Sequence, residues 1–224
     1  MNANLLLILV FVAAVADWAA VAKGWKKTEY IAKPATMLLL FVWLVVLSHL
    51  RGVLMWFGLG VLFSLVGDVF LMISDRWFLA GLVAFLLAQV MYIVGLNLPL
   101  PDVSPVVSIG LALLLGVSSA RVLRRITGGL AAKGLGRLVV PVLVSGMIIT
   151  VMLLSAMLTL FRGDWKSTPS LVVSTGAILF YFSDLLLAWD RFVTPVRNGR
   201  LINMVLYHLG QIALIFGAVL QFGK

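Results

Sequence analysis

Four ionisable side chains stand inside stretches that are otherwise apolar: Asp17, Asp68, Asp184 and His208. Carboxyl and imidazole groups in such surroundings are suited to proton transfer. Two carboxyls that share a site can divide the work, one holding a proton while the other carries charge. Hydrogen-bonding residues recur on the same helical faces. Ser64 stands four residues before Asp68, Tyr181 three before Asp184, Gln211 three after His208 and Gln89 three before Tyr92. Gly67, next to Asp68, leaves room for close approach of a backbone or a substrate. The types and spacings point to general acid and base chemistry inside an apolar protein.

Each residue also has a structural reading. A buried carboxylate bonded to Ser, Tyr or Lys holds helices together, Asp17 can pair with Lys23, and a lone core histidine is often just satisfied by a neighbour. His49 reads as interfacial. Asp75, Arg76, Asp190 and Arg191 read as solvated ion pairs. Two other functions would use the same embedded groups: a proton-coupled transporter, and a metal-dependent hydrolase with Asp17, Asp68, Asp184 and His208 around zinc.

The elements that must position these groups follow from composition. The chain has 224 residues, of which 63% are hydrophobic and 11% charged, and a mean hydropathy of +1.16. A soluble domain carries roughly a quarter charged residues, so lipid is the expected solvent for most of this chain. Backbone groups in lipid must bond among themselves, which leaves helices or a closed barrel. Long apolar runs without two-residue alternation select helices. With no cysteine, disulfides, thiolate metal sites and cysteine nucleophiles are excluded. The net charge of +9 sits in short loops between apolar runs; it therefore reads as a topology signal and not as a nucleic-acid surface.

The expected fold is an all-α bundle forming a single transmembrane domain over 1–224. Eight spans are placed near 4–22, 34–50, 53–73, 78–98, 103–123, 138–161, 169–189 and 201–222. Pro34 and Pro169 are placed in helix first turns; Pro99, Pro101 and Pro105 mark a turn. Loops after the odd-numbered spans hold 13 of the 17 basic residues, among them Lys23, Lys26, Lys27, Lys33, Arg76, Arg191 and Arg200. The other side has Arg51, Arg162, Lys166 and Lys224. The positive-inside rule then puts both termini on the non-cytoplasmic side. Asp17, Asp68, Asp184 and His208 all fall roughly 8–11 Å inside the cytoplasmic boundary at ~1.5 Å per residue, which suggests one shared polar pocket. A short internal echo pairs Gly67-Asp68-Val69-Phe70-Leu71-Met72 with Ser183-Asp184-Leu185-Leu186-Leu187-Ala188. Each is followed by a span with a glutamine, Gln89 or Gln211. Two parallel four-helix repeats would place the two aspartates in equivalent positions. Lys33, ahead of Pro34, is suited to hold an anion at a helix start.

Several segments carry a resemblance. They are Lys33-Pro34-Ala35-Thr36-Met37, Ser64 through Met72, Gly81-Leu82-Val83-Ala84-Phe85 on to Gln89 and Tyr92, Ser183 through Ala188 ahead of Arg191-Phe192, and Tyr207-His208-Leu209-Gly210-Gln211. Together they resemble the YhhN-like family of membrane proteins, whose characterised members are lysoplasmalogenases. The family pattern often has histidine where Gln89 stands. The resemblance implies an inner-membrane hydrolase that cleaves the vinyl ether bond of a lysoplasmalogen to a fatty aldehyde and a glycerophospho-ethanolamine or -choline. It implies a lysophospholipid as partner and no cofactor or metal. Asp68 and Asp184 would be catalytic and Lys33 would hold the phosphate. His208, Tyr207, Gln211, Gln89, Tyr92, Tyr181, Ser64 and Asp17 would support them. Oligomeric state stays open.

Overall fold

The computed structural model describes residues 2–223; Lys224, counted above among the basic residues, lies outside them. The eight helices are α1 (Ala3–Lys23), α2 (Lys26–Ser48), α3 (Leu54–Ile73), α4 (Phe78–Leu96), α5 (Pro105–Ala132), α6 (Val139–Leu158), α7 (Ser167–Phe192) and α8 (Gly199–Phe222). All are long and apolar enough to cross a membrane, and the described residues form no strand. The chain is a multi-pass, all-α membrane protein.

Most helix ends fall within three residues of expectation, with two exceptions. Helix α2 starts at Lys26, not Pro34, because the turn after α1 is only Gly24 and Trp25. Gly24 adopts φ 70°, a left-handed conformation that suits glycine. Pro34 therefore lies inside α2, where it leaves the Tyr30 carbonyl without its usual helical donor. Hydropathy marks the first two turns of α2 as a loop because they carry Lys26, Lys27, Glu29 and Lys33. These residues are helical, and three of them line an internal cavity instead of lipid. Helix α5 likewise runs on to Ala132, so Arg121, Arg124 and Arg125, which the sequence reads as the start of a loop, are helical.

Two helical hairpins form the centre. In α3–α4, a Cβ on Gly60 would strike the Tyr92 ring and one on Gly95 would strike Phe57. In α7–α8, a Cβ on Gly176 would strike the Leu214 backbone and one on Gly217 would strike Val173. The registers are the same. Gly60 and Gly176 stand eight residues before their aspartates (68−60 = 184−176), and Phe57 and Val173 eleven before (68−57 = 184−173). Gly95 and Gly217 stand six after their glutamines (95−89 = 217−211), and Tyr92 and Leu214 three after (92−89 = 214−211). The sequence echo is thus matched by equivalent crossing points in space, and small residues at those points allow backbones to approach closely.

The main apolar core runs through these hairpins and on to α1, α2 and α6. A smaller cluster of Phe78, Ile126, Leu130, Val142 and Phe192 packs the far end of α5 and α6. At the opposite end Arg162 ties two loops. It donates to the carbonyls of Leu96 (2.9 Å) and Pro99 (2.7 Å) and to Asp164 (2.9 and 2.7 Å). Those hydrogen bonds hold the Asp164 carboxyl below the ordinary carboxylate range.

Candidate active site

A cavity of about 580 Å³ opens between α2, α3, α4, α7 and α8, at the end where the α1–α2, α3–α4 and α7–α8 turns lie. Asp68 and Asp184 both line it. So do Glu29, Asp75 and Asp190, which places five of the chain's eight acidic residues around one space. Lys26, Lys33, Arg191 and Arg200 supply the opposite charge. The walls are therefore zwitterionic, at a depth where ionisable residues are otherwise costly.

Asp68, on α3, is almost fully buried. Its Oδ1 is 2.9 Å from Lys33 Nζ on α2, and its Oδ2 accepts a 2.7 Å hydrogen bond from the Tyr207 hydroxyl on α8. Lys33 was expected at a helix start. It lies within α2 and is buried, and its ammonium is committed to Asp68. One turn earlier on α3, Ser64 accepts from Gln211 Nε2 (3.0 Å), and Gln211 Oε1 accepts from the Tyr92 hydroxyl (2.7 Å). This chain supports the wall behind Asp68, and its members do not line the cavity.

Asp184, on α7, is half-buried and accepts a 2.8 Å hydrogen bond from Gln89 Nε2 on α4. No cation pairs with it among the described residues. Next to it, Ser183 and Asn203 bind each other across α7 and α8: Asn203 Nδ2 donates to the Ser183 carbonyl (2.7 Å) and hydroxyl (3.0 Å). Phe85 and Phe78 complete the wall.

The other expected residues go elsewhere. Asp17 and His208, expected at the depth of the two cavity aspartates, do not line the cavity; they form a sealed cluster between α1 and α8. His208 Nδ1 accepts from Trp18 Nε1 at 3.1 Å and stands 3.9 Å from Asp17. The expectation of one pocket for all four groups is corrected here, because depth along a helix does not say which neighbour a side chain faces. Tyr181 also turns away. Its hydroxyl bonds Ser119 on α5 at 2.6 Å, and Thr150 on α6 donates to Ser119 at 3.1 Å. No three His, Cys, Asp or Glu side chains among the described residues converge as a metal-ligand set, so Asp17, Asp68, Asp184 and His208 are not arranged as the zinc reading needs.

Lys26, Glu29, Arg200 and Asn203 line the cavity without having been expected there, and so do Asp75, Asp190 and Arg191, which the sequence reads as solvated ion pairs. Glu29 pairs with Arg200 across the mouth, and Arg191 pairs with Asp75 at 2.5 Å while lying over the Phe78 ring. A signal was present. Lys26, Glu29 and Lys33 follow a three-then-four spacing, and so do Arg200, Asn203 and Tyr207. Each set makes one polar helical face.

Comparison with known proteins gives a consistent picture. The model of the YhhN family matches residues 28–218. Lysoplasmalogenase TMEM86A of Bos taurus is 31% identical over 188 residues, which covers 80% of this chain and 73% of that protein. Lysoplasmalogenase TMEM86B of Mus musculus is 29% identical over 202 residues, covering 88% and 76%. Lysoplasmalogenase TMEM86A of Homo sapiens is 30% identical over 188 residues, covering 80% and 73%. No solved structure matches at a significant level.

Proposed function

The chain belongs to the YhhN family, and from that premise we propose that it is a membrane-embedded lysoplasmalogenase working by paired aspartates. The observation that carries the proposal is the cavity itself: two carboxyls from equivalent positions of two hairpins face one space with unequal partners. Vinyl ether hydrolysis needs a proton donor and is helped by a negative charge nearby, which such a pair supplies. A proton is added to the chain-side carbon of the double bond, which leaves an oxocarbenium ion at the carbon bonded to oxygen. Water adds to that carbon and gives up a proton. The hemiacetal then collapses to a fatty aldehyde and a free glycerol hydroxyl, so one water is consumed and the catalyst is restored.

Asp184 is assigned as the acid that delivers the first proton. Asp68 carries charge, because Lys33 and the Tyr207 hydroxyl are placed to stabilise it there. As a carboxylate, Asp68 stabilises the oxocarbenium ion and accepts the proton of the attacking water. As the hemiacetal collapses, Asp68 gives that proton to the departing glycerol oxygen while Asp184 takes the proton of the hemiacetal hydroxyl, so both groups return to their starting states. Gln89 orients Asp184 by its 2.8 Å hydrogen bond. With Lys33 buried against Asp68, the lipid phosphate falls to Lys26 and to the more exposed Arg191 and Arg200, which would exchange Asp75 and Glu29 for it, leaving those carboxylates and Asp190 to an ethanolamine or choline group. The mouth lies at the strongly basic end, so the cavity opens to the cytoplasmic face of the inner membrane and both termini lie on the opposite side.

Purified protein in detergent, given ethanolamine and choline lysoplasmalogens and their acyl counterparts, tests the reading by mass spectrometry. The expected result is aldehyde from the vinyl ethers and no fatty acid from the esters. Failure to release aldehyde from either vinyl ether would overturn it.

A further inference from the structure

The polar cavity has an apolar neighbour. A slot of about 60 Å³ lies between α4, α5, α6 and α7. The slot and the cavity share Leu71, Phe78, Phe85, Asp184, Leu187 and Arg191, so the slot opens onto the cavity beside Asp184. Leu123 of α5 closes its far side. That leucine also lines a third space, a groove of about 600 Å³ between α5 and α6, and it is the one described residue common to slot and groove. Gly146 of α6 seats it, since a Cβ there would come within 2.3 Å of Leu123 Cδ2. The groove faces outward, with Leu143, Met147 and Val151 of its wall exposed. Of its polar groups, Ser119 bonds Tyr181 and accepts from Thr150, and Thr127 bonds carbonyls of its own helix, which leaves Arg124 as the one charged side chain on its wall among the described residues.

We infer that the slot holds the hydrocarbon chain of a single-chained lipid, and that Leu123, seated on Gly146, is the partition past which this chain runs into the lipid-facing α5–α6 groove. The inference rests on the proposed hydrolysis. It goes further in naming a chain site and its limiting residues. Three observations carry it. The wall changes from charged to apolar at Asp184, as a lysoplasmalogen changes from polar to apolar at its vinyl ether. The slot is far smaller than the cavity, so it accepts one chain; a second chain on the glycerol would have only the charged cavity to enter. The groove continues the same line outward through α5, which is the least buried of the eight helices. Placing the chain in the slot also sets its first carbons beside Asp184, where the proton must go. The two products then part by separate routes, the aldehyde between α5 and α6 and the glycerophosphate through the polar mouth.

The test compares ethanolamine lysoplasmalogens with a hexadecenyl or a butenyl chain, the latter short enough to end inside the slot. For Gly146→Leu, which fills the partition, the hexadecenyl-to-butenyl ratio of kcat/KM should fall about ten-fold or more. For Leu123→Ala, which opens it, the ratio should rise above the wild-type value. An unchanged ratio in a folded variant overturns the inference. Should Gly146→Leu fail to fold, Leu123→Ala alone decides. Wild-type protein that cleaves neither substrate overturns the proposed function, and the chain site with it; cleavage by wild type with unchanged ratios in the variants overturns the chain site only.

Discussion

The α3–α4 and α7–α8 hairpins share one register and differ at one position in what they offer an aspartate. Phe85 and Tyr207 both stand four residues before their glutamines (89−85 = 211−207). Tyr207 reaches across and donates to Asp68; Phe85, its counterpart, brings only an apolar ring to the wall that holds Asp184. The two glutamines also cross over, Gln89 to Asp184 and Gln211 to Ser64, one turn before Asp68. Helix α2 adds Lys33 to one side alone. Equivalent backbone positions have therefore become unequal chemical positions, through a phenol, a phenyl and an ammonium. A symmetric pair would share one proton without deciding which side holds it; the unequal partners of these two decide it.

Removing either carboxyl should break that division outright. Asp184→Asn cannot deliver a proton and Asp68→Asn cannot carry charge, although both amides keep the shape. General acid catalysis contributes ~10²–10⁴-fold and charge stabilisation a comparable factor, so aldehyde release should fall to near background in each. Thermal melting in detergent is the control for folding. Turnover near wild type in either folded variant would remove the paired-carboxylate mechanism.

Lys33→Met should have the next largest effect, and it separates stability from catalysis. Leaving Asp68 without its buried cation costs ~3–5 kcal/mol, so the melting temperature should fall together with the rate. In the double variant with Asp68→Asn, the stability should recover while the activity does not, because the two residues are in contact and their effects are not additive. Equal melting temperatures for Lys33→Met and wild type would show that the ion pair does not hold in the membrane.

Tyr207→Phe makes the second hairpin copy the first. It removes one hydrogen bond to a charged group, worth ~1.5–3 kcal/mol, and leaves Asp68 with Lys33 alone. The expected loss is about ten- to a hundred-fold in kcat/KM, with the protein still folded. An unchanged rate would mean that the phenol does not set the inequality.

How much of this was legible differs from residue to residue. Asp68 and Asp184 stood out because an aspartate in a span is rare and costly, and the matched motifs around them gave the duplication. Lys33 was legible as a residue, but its place was not. Hydropathy treats a polar helix turn beside an internal cavity like a loop, so α2 was expected to begin after it, and Glu29 went unnoticed although it is the chain's one glutamate. Arg200 was hidden in the same way, just ahead of the expected start of α8, whereas Asn203 lay inside the expected span and carries no charge to mark it. Asp17, His208 and Tyr181 show the opposite failure. Depth follows from counting residues, but the direction a side chain faces depends on which helix lies next to it.

Asp17 gives the smallest expected effect. Its carboxyl is fully buried and both its oxygens are without a hydrogen-bond partner. The nearest base is His208, and its Nδ1 already accepts from Trp18, so that nitrogen has no proton to offer at 3.9 Å. The cluster therefore is not a hydrogen-bonded dyad. It also lies outside the cavity that holds the other two aspartates. Asp17→Asn removes a buried ionisable group that nothing compensates. Activity should stay within about three-fold of wild type, since Asp17 neither lines the cavity nor hydrogen-bonds a group that does, and the melting temperature should hold or rise. A loss on the scale of Asp184→Asn would mean that the sealed cluster takes part in the chemistry. The route would run through His208 to its neighbour Tyr207 and so to Asp68, and the contrast between cavity and cluster would have to be redrawn as one connected relay.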